Sequence, residues 1–183
     1  MSEQTETRGP VIVVSGAPGV GKTTVSNLVA SAFERSVHLR DDDFMAAVVN
    51  GWVDPNLPEA AAQHEAVGGA LAVSAMGFAG DGYTTVVDGY LLPDGVEGLA
   101  AACTDRGLSC HYVVLRADLD TCWARASARA EGRWPLEYEP FAALHARFTA
   151  LELASTRVVD ATASPEAARD AVLRAYRAGQ LVV

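Results

Sequence analysis

Residues 16–23 read Gly16-Ala17-Pro18-Gly19-Val20-Gly21-Lys22-Thr23 and match the pattern G-x-x-x-x-G-K-[ST] at every fixed position. The apolar run 11–14 precedes this stretch and an amphipathic segment follows it, an arrangement that predicts a strand, a loop and a helix. Glycines let consecutive backbone N–H groups point at phosphate oxygens, where a Cβ atom would obstruct them. We therefore expect residues 16–23 to bind the phosphates of a nucleoside triphosphate. The alternative is a glycine-rich turn before an ordinary helix.

The fixed polar positions of this loop predict separate roles. Lys22 is expected to reach the β- and γ-phosphates, and the hydroxyl of Thr23 is expected to hold Mg²⁺. The predicted nucleotide-binding set consists of the loop and the start of the helix: Gly16, Ala17, Pro18, Gly19, Val20, Gly21, Lys22, Thr23 and Thr24.

Size and composition restrict the class of protein. The chain has 183 residues, of which 50% are hydrophobic and 20% are charged, as in one globular domain. A net charge of −9 argues against a nucleic-acid partner, because phosphate backbones require clustered Lys and Arg. Three cysteines without a C-x-x-C pair favour reduced thiols in a cytosolic protein over disulfides or zinc. No apolar run reaches the ~18 residues of a membrane span.

Hydrophobic periodicity predicts strands that alternate with helices along the chain. Residues 1–10 are polar and are predicted to form a flexible tail, so that residues 11–183 form the domain. The connections are long enough for parallel strands, which predicts a three-layer α/β/α sandwich with a five-stranded parallel sheet. The site is then expected at the carboxyl ends of the strands. The predicted strands after 11–14 are 37–39, 84–88, 111–115 and 158–159, and the predicted helices are 21–33, 44–50, 59–79, 94–106, one capped by Asp118, 140–154 and one capped by Ser164.

Carboxylates follow two of the predicted strands. The cluster Asp41-Asp42-Asp43 ends the second strand, where a carboxylate could accept a proton from a substrate hydroxyl or orient Mg²⁺. An N-cap with an acidic first turn is the alternative. Asp88 ends an apolar strand and is predicted to lie near Thr23 and its metal, although a helix cap or a turn is also compatible with it. Gly89 is expected to leave room for a ligand, and Tyr90 is expected to line an acceptor pocket.

Two arginines share one face of a predicted helix. Arg125 and Arg129 are four residues apart, and Arg133 falls in the break that follows. These side chains are expected to close over the triphosphate and to stabilise charge on the transferred group, as part of a small lid over about 125–140. A solvated helix face is the alternative. Trp52, in a predicted loop, is expected to contact the substrate.

Other polar side chains receive structural interpretations. His38 and His111 lie in predicted strands and are interpreted as core or sheet-edge residues. His64 lies in a helix where an acceptor could dock. Arg147 is interpreted as part of a solvated helix face.

Together these parts resemble the small P-loop kinases of metabolites, such as shikimate and gluconate kinases and, more loosely, chloramphenicol phosphotransferase and zeta-toxin-like kinases. The resemblance covers nearly the whole chain after residue 10. It rests on the phosphate loop, the segment Leu39-Arg40-Asp41-Asp42-Asp43, the Val-Val-Asp-Gly strand at Asp88 and the pair Arg125-x-x-x-Arg129. The resemblance implies a P-loop NTPase fold with ATP and Mg²⁺ as cofactors.

The same resemblance implies roles for individual residues. The catalytic aspartate of these kinases aligns with Asp42, and Asp43 is the alternative shifted by one position. Lys22 and Arg129 join Asp42 as catalytic residues, and Arg125 joins Arg129 in binding the nucleotide. Adenine is expected near a lid arginine and the loop 160–162. The predicted substrate-binding set is Asp42, Asp43, Trp52, Asp88, Tyr90 and Arg133.

The sequence also departs from these kinases. The glycine triplet that holds the acid in shikimate kinases is replaced by Asp88-Gly89-Tyr90-Leu91, and Arg40 interrupts the D-x-D spacing. No Lys or Arg occurs between Phe44 and Tyr83, so a doubly charged acceptor would find few partners there. The sequence predicts an ATP-dependent phosphotransferase for a neutral or weakly charged sugar, cyclitol or antibiotic alcohol. The alternatives are a nucleotide-dependent switch that acts through a protein partner, and a kinase of nucleotides or nucleotide sugars.

Overall fold

A single parallel sheet organises the chain. The computed structural model describes residues 8–128 and 136–183. In these ranges the strands run in the order β2-β3-β1-β4-β5, and every neighbouring pair is parallel. The predicted five-stranded parallel sheet is therefore confirmed. The strands are β1 (Val11–Gly16), β2 (Ser36–Arg40), β3 (Thr84–Gly89), β4 (Cys110–Arg116) and β5 (Val158–Asp160).

Helices cover both faces of this sheet. Side chains of β1 alternate between two apolar cores, because successive residues of a strand point to opposite faces. Ile12 and Val14 pack on the face that α1 and α7 cover, and Val11 and Val13 pack on the face of α3 and α4. The predicted three-layer sandwich is confirmed. The helices are α1 (Lys22–Ala30), α2 (Asp41–Ala46), α3 (Ala61–Gly80), α4 (Pro93–Asp105), α5 (Leu119–Ser127), α6 (Tyr138–Thr149) and α7 (Pro165–Arg177).

Two predicted N-caps are confirmed. Asp118 Oδ1 accepts a hydrogen bond from the backbone N–H of Thr121 at 2.8 Å and begins α5. Ser164 Oγ accepts from the backbone N–H of Ala167 at 3.2 Å and begins α7. These caps satisfy backbone donors that a helix leaves unpaired at its start.

Several helix ends differ from the prediction. The helix predicted to reach residue 33 ends at Ala30, whose carbonyl accepts a hydrogen bond from Ser36 Oγ at 2.7 Å. The helix predicted from Phe44 begins at Asp41, because the three aspartates form its first turn, where the helix dipole favours negative charge. The helix predicted to reach residue 154 ends at Thr149.

The longest helix passes through two adjacent glycines without a break. α3 spans 20 residues and includes Gly68 and Gly69. Neither α3 nor any other helix in the described part of the chain is long and apolar enough to cross a membrane.

The end of the predicted tail packs against the domain. The backbone N–H of Gly9 donates to the carbonyl of Ala79 at 2.8 Å, and the carbonyl of Pro10 accepts from Thr85 at 2.9 Å. Gly9 is buried, and a Cβ atom there would lie 2.0 Å from the carbonyl oxygen of Tyr83. The prediction of a tail through residue 10 is therefore wrong for Gly9 and Pro10, and residues 1–7 lie outside the described ranges.

Two glycine substitutions are expected to shift stability in opposite directions. Gly77→Ala in α3 should raise the free energy of unfolding by about 1 kcal/mol, because a Cβ atom there meets nothing within 4 Å and alanine favours a helix. Gly9→Ala should lower it by about 1–3 kcal/mol, because the added atom collides with backbone. Urea unfolding followed by circular dichroism measures both, and equal effects of the two variants would contradict the packing of Gly9.

Candidate active site

The phosphate loop is held closely against α5. Gly19 has φ +73°, and a Cβ atom there would lie 2.1 Å from the carbonyl oxygen of Cys122. Both the backbone conformation and the lack of space therefore require glycine at this position. The loop leads directly into α1, so the N-terminus of this helix faces the loop, an arrangement that favours anions.

Lys22 lies inside the loop. Its side chain is 8% exposed, and Nζ donates to the carbonyls of Gly16 at 2.9 Å and Ala17 at 3.0 Å. The same Nζ lies 3.8 Å from the centre of the Tyr90 ring. The loop and the segment after β3 thus meet at the lysine.

Asp88 is a buried carboxylate of the site. Its exposed fraction is 3%, and His38 Nε2 donates to its Oδ2 at 2.7 Å. The pair crosses from β2 to β3, so the prediction of His38 as a core or sheet-edge residue missed its polar partner. A buried carboxylate requires such a partner because its desolvation is costly.

The oxygen atoms of Thr23 and Asp88 suit a magnesium ion. Both residues line the same cavity beside Lys22. Among the described residues, no group of three or more His, Cys, Asp or Glu side chains could hold a metal ion. Mg²⁺ commonly uses one or two protein oxygens together with substrate phosphates, so these two side chains fit that role.

The structure separates the three neighbouring aspartates. Asp42 lines the cavity that contains Lys22 and Thr23. Asp41 is half-buried and lines a different cavity, and burial together with the negative charge of Asp42 holds the pKa of its carboxyl above the usual range. Asp43 is exposed and forms an ion pair of 3.4 Å with Arg40. Asp42 is therefore the one of the three aspartates that shares a cavity with the phosphate-loop residues Lys22 and Thr23.

Protein atoms fill the space that a Cβ atom of Gly89 would occupy. A Cβ atom at Gly89 would lie 2.7 Å from the side chain of Leu91 and 2.8 Å from Cβ of Asp41. Gly89 also lines the cavity that contains Lys22 and Thr23, so the expectation that this glycine leaves room for a ligand stays a prediction. The absence of a side chain at Gly89 in addition allows Asp41 to approach the end of β3.

Two buried hydroxyls hold the segment that follows β3. Ser15 Oγ lies 2.7 Å from the carbonyl oxygen of Leu91 and 3.1 Å from that of Gly89, and Tyr112 Oη donates to Leu91 at 2.9 Å. These contacts fix the backbone on either side of Tyr90. The sequence does not predict these hydrogen bonds of Ser15 and Tyr112, because both residues lie in strands whose pattern is that of an ordinary core strand.

Arg125 joins the phosphate loop to the loop after β5. Its guanidinium donates to the carbonyls of Val20 at 3.3 Å, Ala161 at 2.9 Å and Thr162 at 3.1 Å. The structure thus brings Arg125 to the loop 160–162 that was predicted to lie near adenine. Arg129 and Arg133 lie outside the described residues, together with the rest of 129–135 in the predicted lid.

Two neighbouring cavities meet at Tyr90 on this edge of the sheet. The loop cavity has a volume of about 270 Å³. The helix cavity has a volume of about 1120 Å³ and lies between α3, α4 and α6, and Tyr90 lines both cavities. The loop cavity brings together eight of the predicted site residues, namely Pro18, Gly19, Gly21, Lys22, Thr23, Asp42, Asp88 and Tyr90.

Other predicted site residues lie apart from these linings. Trp52 is 37% exposed, and Thr24 is exposed on the first turn of α1. In the two described linings neither residue appears, and neither does Asp43. The remaining loop positions, Gly16, Ala17 and Val20, are buried and are not part of the loop-cavity lining.

Side chains of α3 and α6 contribute to the helix cavity. His64 lines it, and its Nε2 lies 3.0 Å from the carbonyl oxygen of Pro55. Arg147 is exposed, as predicted, and also lines this cavity. The absence of Lys and Arg between Phe44 and Tyr83 therefore does not leave the cavity without a cation, because α6 supplies one.

Asp41→Asn is expected to stabilise the protein in the absence of ligands. Because the pKa of Asp41 is raised by folding, the contribution of this group to stability is lost as the pH rises through the folded-state pKa. The asparagine side chain does not ionise, so the variant does not lose stability as the pH rises. The variant should therefore unfold at a higher urea concentration near neutral pH, and its advantage should shrink as the pH falls.

Asp43→Asn is the matched control, because Asp43 is exposed and paired with Arg40. It should show no stability gain at any pH. A lower stability of Asp41→Asn near neutral pH would contradict the placement of Asp41 in a half-buried, negatively charged environment.

Solved structures share this architecture. The Mycobacterium tuberculosis APS kinase CysC, in complex with AMPPNP and APS, has a TM-score of 0.67 at 17% identity, covering 93% of this chain and 99% of that chain. The Deinococcus radiodurans tunicamycin resistance protein has a TM-score of 0.64 at 18% identity, covering 96% and 99%. A gluconokinase from Sinorhizobium meliloti 1021 has a TM-score of 0.62 at 16% identity, covering 95% of each chain. At these identities the likeness shows a shared fold.

The sequence itself matches one protein family. No curated protein matches the chain. The family described as AAA domain matches residues 11–151, which is more than half of the chain. The predicted resemblance to small P-loop kinases is confirmed by the family match and the shared fold. The chain belongs to the AAA domain family, and its fold is that of the small P-loop kinases.

Proposed function

We propose that this protein transfers the γ-phosphoryl group of ATP to a hydroxyl of a small, neutral or weakly charged molecule. The observation that carries the proposal is the junction of the two cavities at Tyr90. The loop cavity offers Lys22 and Thr23 to phosphates, and the helix cavity opens beside it with room for a second molecule. Asp42 lines the first cavity, and Asp41 lines the second.

The side chains of the loop cavity have complementary roles in this transfer. Asp42 accepts the proton of the attacking hydroxyl, as a positioned carboxylate can do. Lys22 stabilises the negative charge of the phosphoryl group as it moves. Thr23 and Asp88 hold Mg²⁺, which neutralises charge on the phosphates when bound, and His38 orients the Asp88 carboxylate for that role.

Arg125 contributes to the nucleotide side of the site. Its three hydrogen bonds to loop carbonyls fix the phosphate loop relative to the loop 160–162, where the adenine is proposed to lie. Arg129 and Arg133 are proposed to stabilise charge on the transferred group and to contact the acceptor, as the spacing of the arginines predicts. Asp43 and Trp52 stay in the proposal as residues at the margin of the acceptor site.

The names of the structural neighbours support this class of reaction. They include a gluconokinase, a protein described as a sugar kinase and a tunicamycin resistance protein. Kinases that share a fold can differ in acceptor, so the proposal rests on the cavities of this chain rather than on those names.

Asp42→Asn is expected to lower acceptor-dependent turnover by about 10²- to 10⁴-fold, because an amide cannot accept the hydroxyl proton. The measurement is ADP release from Mg-ATP across a panel of sugars, cyclitols and hydroxyl-bearing antibiotics. Asp105→Asn is the matched control and should retain most of the activity, because Asp105 is exposed at the end of α4 and outside the linings of both cavities. Nucleotide binding, measured by calorimetry, should persist in both variants.

Three outcomes would contradict parts of this proposal. Tight ATP binding with slow hydrolysis that no acceptor stimulates would favour a nucleotide-dependent switch. Acceptor-dependent turnover confined to phosphorylated acceptors would favour a nucleotide or nucleotide-sugar kinase, with Arg147 as a cation for the acceptor. A loss of acceptor-dependent turnover in Asp41→Asn but not in Asp42→Asn would identify Asp41 as the base.

A further inference from the structure

The helix cavity is large in relation to the acceptors of simple metabolite kinases. Its volume of about 1120 Å³ slightly exceeds the roughly 300–1,000 Å³ of pockets that bind drug-sized ligands. It begins at Asp41 and Tyr90 and continues between α3, α4 and α6. A hexose bound at the junction with the loop cavity would leave most of this volume filled with water.

The walls of the helix cavity are predominantly apolar. Each of the three helices contributes aliphatic side chains to the lining, with Leu71 and Ala75 from α3, Leu99 and Ala102 from α4 and Leu144 from α6. Hydroxyl groups placed against such walls would lose their hydrogen bonds to water without replacement, which is unfavourable. The walls therefore suit an apolar body rather than a polyol.

Four glycines widen the same cavity. Gly68 and Gly69 in α3 and Gly95 and Gly98 in α4 line it, and a Cβ atom at any of them would meet nothing within 4 Å. No contact within the described chain requires glycine there, and glycine disfavours a helix by about 1 kcal/mol relative to alanine. Their effect on the structure is to leave bare backbone along two walls of the cavity.

Charged groups are confined to the accessible part of the lining. Glu65, Asp94 and Arg147 are exposed, whereas Asp41 is half-buried at the junction with the loop cavity. A molecule bound in the helix cavity would therefore have the Asp41 carboxylate at the end nearest the phosphates and apolar side chains along most of its length. At its solvent-exposed end it would contact both positive and negative side chains. This distribution matches an amphipathic alcohol.

We propose that the acceptor is a bulky, largely apolar alcohol whose body fills the helix cavity and whose hydroxyl lies at the junction beside Tyr90, where it faces Asp42 of the loop cavity. This inference rests on the proposed phosphotransfer and narrows its acceptor from sugars, cyclitols and antibiotic alcohols to the apolar members of that class. A compact polyol lacks the surface to exclude water from these walls.

Binding of two matched probes tests the inference without knowledge of the natural acceptor. Octyl glucoside, kept below its micelle-forming concentration, and glucose carry the same sugar but differ in an apolar tail. Calorimetry with the Mg-ATP analogue AMPPNP present should detect octyl glucoside and not glucose. Gly68→Leu should weaken octyl glucoside binding at least about tenfold, the loss that corresponds to displacing two buried methylene groups.

Gly77→Leu is the matched control variant. Gly77 lies in the same helix and also has nothing within 4 Å of an added Cβ atom, but it is outside the described lining of the helix cavity. It should leave octyl glucoside binding unchanged. Both variants should fold, because leucine favours a helix over glycine.

ADP release with the same proteins separates failure of this inference from failure of the proposed function. Octyl glucoside binding that is absent, or that is equal in the wild type and Gly68→Leu, would overturn the apolar acceptor. If compact polyols are phosphorylated equally well by the wild type and Gly68→Leu, the apolar acceptor is also wrong, but the proposed phosphotransferase activity is supported. If octyl glucoside binds and Gly68→Leu weakens its binding, but no alcohol is phosphorylated, the helix cavity is an apolar binding site and the proposed phosphotransferase activity is wrong.

Discussion

The parallel pairing of three adjacent strands is the constraint on which the site depends. β3 lies between β2 and β1, and the register places Asp88 opposite Arg40 and Gly89 opposite Ser15. Parallel strands end at the same edge, so the phosphate loop, the first turn of α2 and the segment after β3 must meet there. Asp88 is buried at this edge, and His38 from the adjacent strand is hydrogen-bonded to its carboxylate. The positions of Lys22, Asp42 and Asp88 in the loop cavity follow from this arrangement.

Features encoded in short stretches of sequence are predicted well. The phosphate loop, all five strands and the caps at Asp118 and Ser164 follow from residue types within a few positions of one another. The predicted proximity of Thr23 and Asp88 follows as well, because strand order in a P-loop fold leaves few alternatives. Helix ends are less predictable. α1 ends early where Ser36, six residues further on, binds the carbonyl of Ala30.

Contacts between distant segments explain most of what the sequence does not show. His38 and Asp88 are 50 residues apart, and Arg125 and Val20 are 105 apart, so no local pattern links them. At the end of β3, the sequence predicts that Gly89 leaves space for a ligand, and the structure shows that Asp41 also packs against this glycine. The packing of Gly9 against Tyr83 is equally invisible in a polar segment. Residue type predicts which groups can react, but packing decides which of them meet.

The two cavities constrain the sequence in different ways. Phosphate recognition needs backbone N–H groups, a cation and oxygen ligands at fixed positions, so the loop cavity requires particular residue types and leaves a motif. An apolar wall requires only volume and shape, and hydrophobic residues of similar size exchange there at little cost. Leu71, Leu99 and Leu144 therefore resemble any helix-packing residues in the sequence, although they line the helix cavity. Acceptor preference can thus change through the walls of α3, α4 and α6 while the strand edge that binds phosphate stays intact.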